Sequence, residues 1–287
     1  RSLWSKIYTI KKWDMQPTNI KQQFLTKRKD LVDTLYLMML QGINQLLPIF
    51  VMPYLMIKLG ATGYGYVGFA LSVIQYLIII VDFGFNLSAT KHIAMVKDDY
   101  DERSRVFWNV VAAKSVLLTV SAVILGTLLV AVPTFQFYSR AIIATFPMLL
   151  GSVFTFMWFF QGIGKIRLFS IINTISKVTL LPLIFIFVKS PNDYVLAVFL
   201  QAAVFLFTAI ISNVYIIYKR LINWVPPIWE GMLRELHTSF PLFLSSASTS
   251  IYTQLIVIVL GFYCTTEVIG KYSSAERIMR AVCFLVY

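Results

Sequence analysis

The sequence predicts an all-α polytopic membrane protein, and two observations carry that prediction. Of the 287 residues, 58% are hydrophobic and only 13% are charged, and the mean hydropathy is +0.75. Such a composition cannot cover the surface of a water-soluble globule of this size. The second observation is a series of apolar runs, each close to the roughly 20 helical residues that cross a bilayer core of about 30 Å.

About eight such runs follow a basic leader, residues 1–30, that lacks the continuous apolar segment of a signal peptide. The predicted transmembrane helices lie near residues 33–57, 65–88, 107–131, 139–161, 168–188, 194–218, 239–262 and 267–287. The last run reaches the final residue, and the first residue is Arg1 rather than Met. We therefore expect the chain to be a fragment or a truncated form of a longer protein.

Basic residues concentrate on one side of the predicted bundle. The leader and alternate loops hold most of the 25 Lys and Arg residues, whereas the short loops of the other side hold only Lys58, Arg140 and Lys189. The positive-inside rule then predicts a cytoplasmic N-terminus. The net charge of +12 is interpreted as a topology signal. Nucleic acid is not a predicted partner, because the bases are scattered over separate loops and form no stripe with aromatic residues.

The longer cytoplasmic stretch 219–238 is predicted to link two lobes. Pro226 and Pro227 are followed there by an apolar stripe with helical spacing, typical of a helix in the membrane interface: Ile228, Trp229, Met232, Leu233 and Leu236. Residues 31–218 would form a first six-helix lobe, and residues 239–287 the first two helices of an incomplete second lobe. GYVGFA, from Gly65, and GKYSSA, from Gly270, share Gly and Ala at one spacing, which supports a repeat of the same orientation.

Other functional motifs are excluded by their context. GYGYVG, from Gly63, fits the dinucleotide fingerprint, but it follows a membrane span without a βαβ unit, so its glycines indicate a tight turn and close helix packing. His92 and His237 lack metal-site spacing and are predicted to be solvated loop residues. Cys264 and Cys283 are too far apart on a helix to form a disulfide. We predict no catalytic group, metal or cofactor, and no enzyme activity.

Charged residues inside the predicted spans are the candidate functional groups, because each costs about 2.5 to 3.5 kcal/mol on insertion. Lys177 lies near mid-membrane and is a candidate for lining a polar cavity. Lys114 lies nearer the cytoplasmic end, where its long stem also permits snorkelling. Glu276 and Arg280 are spaced i,i+4 and can neutralise each other, whereas Arg277 points to another face and is a candidate anion ligand.

Asp82 ends the apolar run of the second predicted helix, near its cytoplasmic end. Two interpretations stay open: the carboxylate pairs with Lys114 or Lys177 of a neighbouring helix, or it caps and packs at the interface. Pro48 and Pro53 predict kinks in the first helix. Pro182 and Pro241 are expected to interrupt the fifth and seventh helices in the same way, and the polar residues before Pro48 are expected to face protein rather than lipid.

Four segments, in this order, resemble the Wzx/RfbX-type O-antigen flippases. These polysaccharide transporters belong to the MOP superfamily, which also contains the MATE exporters and the lipid II flippases. The segments are NQLLPIFVMPYLMIKLGATGYGYVGFALSV, DFGFNLSATKHIA, WFFQGIGKIRLFSIINTISKV and FPLFLSSASTSIYTQLIVIVLGFYCTTEVIGKYSSAERI. The resemblance covers about residues 31–287, everything beyond the leader.

The resemblance implies a MOP-type bundle of twelve helices in two six-helix lobes around a central cavity. It implies transfer of undecaprenyl-pyrophosphate-linked glycan repeats across the bacterial inner membrane by alternating access, with polysaccharide polymerase and chain-length machinery as partners. The candidate anion ligands are then Lys177, Arg277, Lys114 and Arg280, with Asp82 and Glu276 as intramembrane charge partners. The candidate polar and sugar contacts are Asn44, Gln45 and Gln254.

Two other functions remain open at this point. A MATE-type drug or cation exporter needs an acidic cavity, whereas the predicted spans hold more bases than acids. A membrane glycan polymerase or ligase, an enzyme, usually needs a substantial periplasmic loop, and none is predicted in the sequence. The sequence leaves open which glycan is carried, the coupling ion, the oligomeric state and the role of the leader.

Overall fold

The computed structural model describes the backbone of residues 17–286 and the side chains of residues 42, 47, 50–249, 255–280, 282 and 283. All regular elements in this range are helical, which confirms the predicted all-α class. The helices are α1 (Pro17–Asp82), α2 (Phe85–Met95), α3 (Tyr100–Ala131), α4 (Pro133–Phe137), α5 (Ser139–Phe154), α6 (Met157–Gly162), α7 (Ile166–Phe187), α8 (Tyr194–Tyr218), α9 (Trp229–Tyr263) and α10 (Thr266–Val286), with a 3₁₀ turn at Pro191–Asp193.

The chain divides into two compact units, Arg1–Gln41 and Gly42–Tyr287. The described part of the first unit, residues 17–41, is helical. The second unit holds all the features described below. The predicted boundaries at residues 30, 218 and 238 stay predictions.

Five stretches of described residues are long and apolar enough to cross a membrane: Phe50–Met95, Tyr100–Ala131, Ser139–Gly162, Ile166–Phe187 and Pro191–Tyr218. The protein is therefore a multi-pass membrane protein. Helices α9 and α10 are not among these five, and α10 carries two acidic and three basic residues. The predicted count of about eight transmembrane helices is therefore not confirmed, and it stays a prediction.

The first two predicted spans are joined at a single residue, Gly60, rather than by a loop. Its backbone angles, φ 69° and ψ 174°, lie in a region that essentially only glycine adopts. The backbone is helical on both sides, so Gly63 and Gly68 lie within a helix and not in the predicted tight turn. The helix also continues through Pro53, and the described break in α1 lies at the glycine rather than at that proline.

The second predicted helix ends at Asp82, earlier than residue 88. Phe83 and Gly84 have positive φ values, 41° and 80°, and form the turn that separates α1 from α2. The stretch 89–106, between the second and third predicted helices, is also mostly helical, because only residues 96–99 lie between α2 and α3. Asp99 begins α3 by accepting hydrogen bonds from the backbone N–H groups of Asp101 and Glu102, as an N-cap does.

The helical backbone continues through two later prolines, and the kinks predicted there stay predictions. Pro182 lies inside α7 and Pro241 inside α9, and both helices continue past them. In membrane proteins, neighbouring helices and small local adjustments satisfy the carbonyl group that a proline leaves free. The fourth predicted span breaks instead between α5 and α6, where Phe156 adopts a left-handed conformation with φ 50°.

The predicted interfacial helix after Pro227 is the first part of α9, which runs for 35 residues without a break. Met232 is buried, whereas Trp229 and Leu233 on the same predicted stripe are exposed. The stripe is therefore divided between an exposed face and a face that is covered in part by α3. There, the side-chain oxygen of Asn109 accepts a hydrogen bond from the N–H of Ile228 at 3.0 Å.

Close helix packing in the bundle depends on small residues. A Cβ on Gly151 of α5 would lie 2.7 Å from the carbonyl carbon of Phe205 on α8, so the glycine allows these two backbones to approach. One apolar cluster centres on α1, α5 and α8, and a second joins α2, α3 and α6. The gap between these helices forms a cavity.

Candidate functional site

A central cavity of about 410 Å³ lies inside the second unit, between α1, α2, α3, α5, α6, α7, α8 and α10. Apolar side chains form much of its wall. The polar side chains that line it are Gln75, Asp82, Asn86, Lys114, Ser152, Thr155, Asn173, Lys177, Gln201, Thr208 and Arg277. Its size falls within the range of small-ligand sites in proteins.

Helical periodicity aims these side chains inward. Phe169, Asn173, Lys177 and Leu181 follow one another at intervals of four on α7, so they share one face. On α1, Leu71, Gln75, Ile78 and Asp82 share a face in the same way. Four of these polar residues were missed by the sequence analysis: Gln75, Asn86, Asn173 and Gln201. Asn173 could have been identified from its i,i+4 spacing to Lys177.

Lys114 and Asp82 form an ion pair at the edge of the cavity. The Nζ of Lys114 donates to Oδ1 of Asp82 at 2.8 Å and to the backbone carbonyl of Ser152 at 2.9 Å. The lysine side chain is 2% exposed and the aspartate side chain 28% exposed. Lys114 therefore does not snorkel to the membrane surface. Of the two interpretations of Asp82, the structure shows the first, a carboxylate paired with Lys114 of a neighbouring helix.

The break after α1 explains how the aspartate reaches this position. Asp82 is the last residue of α1, and the turn at Phe83 and Gly84 carries the chain away into α2. The carboxylate then faces the cavity with one side open to it. Asn86, one turn into α2, donates to its second oxygen at 3.4 Å.

Lys177 and Arg277 line the same cavity from α7 and α10. The guanidinium of Arg277 lies over the ring of Tyr64, with its central carbon 5.7 Å from the ring centroid. Such a cation–π contact holds the guanidinium at the wall. Together with Lys114, these residues put three basic groups and one carboxylate, Asp82, on the described lining, a formal excess of two positive charges.

Arg280 and Glu276 lie away from the central cavity. Arg280 donates to the carboxylate of Glu276, so the predicted i,i+4 pair is present. Both line a smaller space of about 140 Å³ between α1 and α10, which we name the side pocket. It is also lined by Gly68, Ser72 and Ser273, and it shares Leu71, Gln75 and Arg277 with the central cavity.

The predicted sugar contacts Asn44, Gln45 and Gln254, and the predicted kink at Pro48, involve side chains outside the described residues. Pro53 is described and is exposed on α1. Bending of the first helix at these prolines stays a prediction. Among the described residues, no three His, Cys, Asp or Glu side chains lie close enough together to hold a metal ion.

Helices α2 and α9 meet along a contact that we name the α2–α9 seam. The rings of Phe83 and Phe243 stack with centroids 4.5 Å apart, and the hydroxyls of Ser88 and Ser239 lie 2.5 Å apart. A Cβ on Gly84 would lie 2.8 Å from Cβ of Leu242, so the helices touch through the glycine. The seam thus combines polar and apolar contacts.

His92 ends the seam and corrects a prediction. Its Nδ1 lies 2.7 Å from a carboxylate oxygen of Glu235, whose side chain is 5% exposed. His92 is therefore a helix residue bound to a buried acid, and not a solvated loop residue. His237 is exposed, but it too lies in a helix, α9.

Helices α1 and α10 meet at a second contact, which we name the glycine crossing. It involves the two similar segments of the sequence, GYVGFA from Gly65 and GKYSSA from Gly270. A Cβ on Gly65 would collide with the carbonyl oxygen of Thr266, and a Cβ on Gly270 with the carbonyl oxygen of Ala61. The two contacts are reciprocal, because Ala61 and Gly65 stand four residues apart, as Thr266 and Gly270 do. The similar segments therefore pack against each other through their glycines.

Comparison with known proteins identifies the family. Residues 31–286 match the family model described as "Polysaccharide biosynthesis protein". The chain is 32% identical over 250 residues to a protein of Escherichia coli (strain K12) named "Putative O-antigen transporter", a match that covers 87% of this chain and 60% of that protein.

A second relative, from Shigella dysenteriae and also named "Putative O-antigen transporter", is 32% identical over 248 residues, covering 86% of this chain and 62% of its own length. The chain thus spans about three fifths of the length of these curated relatives. No solved structure matches significantly. The family predicted from the four sequence motifs is confirmed: the chain belongs to the polysaccharide biosynthesis protein family, among relatives named as O-antigen transporters.

Proposed function

We propose that this protein is part of a flippase that moves undecaprenyl-pyrophosphate-linked glycan repeat units across the bacterial inner membrane. The observation that carries the proposal is a cavity inside a membrane protein whose described lining has three basic groups and one carboxylate. Charges inside a membrane are expensive and are kept where they bind or conduct a charged substrate. The names of the two relatives support a transporter rather than an enzyme.

A pyrophosphate is the part of such a substrate that fits this charge. Lys177 and Arg277 line the cavity from two different helices, α7 and α10, and a guanidinium binds phosphate oxygens through two parallel hydrogen bonds. Lys114 is held by Asp82 until an anion competes for it. The aspartate thus stabilises the buried lysine while the cavity holds no substrate.

Neutral polar side chains in the same cavity suit the sugars. Gln75, Asn86, Asn173 and Gln201 offer amide donors and acceptors to hydroxyl groups. Trp158, which also lines the cavity, has an indole N–H that is buried without a hydrogen-bond partner among the described residues. The polyprenyl tail would stay in the bilayer.

Alternating access would use two of the contacts at which α9 and α10 meet the rest of the bundle, the α2–α9 seam and the glycine crossing. In the orientation that the positive-inside rule predicts, the α2–α9 seam would lie on the cytoplasmic side and the glycine crossing on the periplasmic side. The seam must part to admit a substrate from the cytoplasm, whereas the crossing must part to release it. Polysaccharide polymerase and chain-length machinery would receive the exported repeats.

The two other candidate functions receive less support. A MATE-type exporter of cationic drugs would need acidic groups in its cavity, whereas the described lining holds Asp82 already paired with Lys114. For a glycan polymerase, neither relative carries a name that indicates an enzyme. We therefore favour the anionic, lipid-linked substrate.

Complementation of a bacterium that lacks its O-antigen flippase tests the proposal. The full-length gene would be compared with the variants Lys177→Ala and Arg277→Ala. Lys271→Ala is the matched control, because this exposed lysine lies on α10 and pairs with Glu267 away from the cavity. Lipid-linked repeat units would then be quantified in each leaflet of the inner membrane.

We expect the wild type and Lys271→Ala to restore export of repeat units. The two cavity variants should insert normally and leave repeat units in the cytoplasmic leaflet. Normal export by both cavity variants would refute the anion-binding cavity. If repeat units instead reach the periplasmic leaflet without the gene, and only their polymerisation depends on it, the result would support a glycan polymerase or ligase.

A further inference from the structure

The side pocket has no part in the mechanism proposed above, although it adjoins the central cavity. Its residues lie on α1 and α10 immediately beyond the glycine crossing. Gly68 and Ser273 line the pocket and also bring α1 and α10 together, because a Cβ on Gly68 would collide with Oγ of Ser273. The pocket lies beside this contact, and Arg277 lines both the pocket and the central cavity.

One side chain of the pocket lacks a partner. Ser273 is 5% exposed, and its hydroxyl has no hydrogen-bond partner among the described residues. Buried hydroxyls are as a rule hydrogen-bonded. Five other described residues have such an unpartnered polar atom, but of these only Trp158 lines either of the two cavities, and that cavity is the central one. A molecule in the side pocket would therefore supply the partner that Ser273 lacks.

The chemistry of the pocket suits a neutral ligand with several hydroxyls. Ser72 and Ser273 can donate or accept, and Gln75 adds an amide. Glu276 and Arg280 neutralise each other, so the pocket gains little net charge from them. The volume of about 140 Å³ equals that of about five water molecules in the liquid, which is enough for one edge of a sugar ring but not for an oligosaccharide.

We infer that the side pocket binds the hydroxyl-bearing edge of the sugar that is bonded directly to the pyrophosphate. This inference rests on the proposed function, since it needs the pyrophosphate in the central cavity. A phosphate held by Arg277 leaves the sugar attached to it at the mouth of the side pocket, because that arginine lines both spaces. The hydroxyl of Ser273 then gains its hydrogen bond from the sugar.

Such a pocket makes the transporter selective for its first sugar. A site built to hydrogen-bond a hydroxyl discriminates strongly against an analogue that lacks the hydroxyl, because the buried polar groups of the site are then left unpaired. The anion site by contrast recognises the pyrophosphate whatever sugar follows. Affinity for the anion and selectivity for the sugar are thus assigned to neighbouring but separate residues.

Equilibrium binding to the full-length protein in lipid nanodiscs separates the two sites. One probe is a short polyprenyl pyrophosphate without sugar. The others carry a single glucose, galactose, N-acetylglucosamine or N-acetylgalactosamine on the same pyrophosphate. The test variant is Ser72→Ala combined with Ser273→Ala. The control combines Ser121→Ala and Ser212→Ala, two fully buried serines that also lack a hydroxyl partner among the described residues but line neither space.

At least one sugar-bearing probe should bind the wild type more tightly than the bare pyrophosphate does. The test variant should weaken that probe about tenfold, as expected for two neutral hydrogen bonds, and leave the bare pyrophosphate unchanged. The inference is overturned if no sugar improves binding, or if the test variant weakens all probes equally or none. If instead the wild type does not bind the bare pyrophosphate, or binds it no better than Lys177→Ala does, the proposed function itself is wrong.

Discussion

Replacing Asp82 by asparagine should destabilise the protein more than an ordinary ion-pair substitution. The ammonium of Lys114 lies 2.8 Å from the carboxylate and is 2% exposed, so it cannot regain water when the charge of its partner is removed. At an effective dielectric constant of about 20, the attraction lost at this distance is about 6 kcal/mol. Measured costs of removing one partner of a buried pair are about 3 to 5 kcal/mol.

We expect about 3 kcal/mol for Asp82→Asn, the lower end of that range, because the aspartate side chain is 28% exposed to the cavity. The double variant with Lys114→Gln should cost less than the sum of the two single changes, since it leaves no unpaired charge. Free energies of unfolding from titration with sodium dodecyl sulfate in mixed micelles would complete this double-mutant cycle.

The matched control is Glu102→Gln, which removes the same charge from the pair with Arg105 on α3. Those side chains are 37% and 49% exposed, so the expected cost is about 0.2 to 1 kcal/mol. The reasoning is refuted if Asp82→Asn costs no more than Glu102→Gln. Strict additivity of the Asp82 and Lys114 substitutions would refute it as well, because the pair would then carry no coupling.

Three further predictions follow from the helix contacts. Gly65→Ala should lower the yield of folded protein sharply because its Cβ collides with α10, whereas Gly126→Ala, with open space around it, should be neutral or slightly stabilising; size-exclusion profiles of the two variants compare them. In a background without native cysteines, Ser88→Cys with Ser239→Cys should form a disulfide across the α2–α9 seam that stops export until it is reduced. Each single cysteine should leave export intact under oxidation, and transport by the cross-linked protein would argue against opening at the seam. Glu235→Gln weakens the bond between residue 235 and His92 of α2, so hydrogen exchange in α2 should be faster than in the wild type while exchange in α5 stays the same. If exchange in α2 equals that of the wild type, this bond does not hold the seam.

The sequence by itself determined the class of the protein, its family and most of its charged candidate residues. Composition and run length suffice for a helical membrane protein, since a bilayer demands long apolar helices. Because inserting a charged side chain into a membrane costs free energy, Lys177, Arg277 and Asp82 could be predicted as functional residues, and all three line the central cavity. The i,i+4 pair of Glu276 and Arg280 was also predictable, because it depends on local helix geometry alone.

Helix ends and partners between helices were decided only by the tertiary structure. Local sequence could not show that α1 breaks at Gly60 and after Asp82 while Pro182 lies inside a continuous helix, because neighbouring helices compensate the groups that a proline leaves free. The same limit made His92 look like a solvated loop residue, since its partner lies 143 positions away.

Packing between α1 and α10 puts Arg280 in the side pocket rather than in the central cavity, and packing between α1 and α3 puts Lys114 against Asp82 rather than at the membrane surface. Periodicity shows which face of a helix a residue occupies, but not which helix that face meets. That choice depends on close contacts such as Gly65 with Thr266, where the absence of one side chain lets two backbones touch. The chemistry of the candidate residues can therefore be predicted from the sequence, whereas their assembly into a site depends on packing between distant segments.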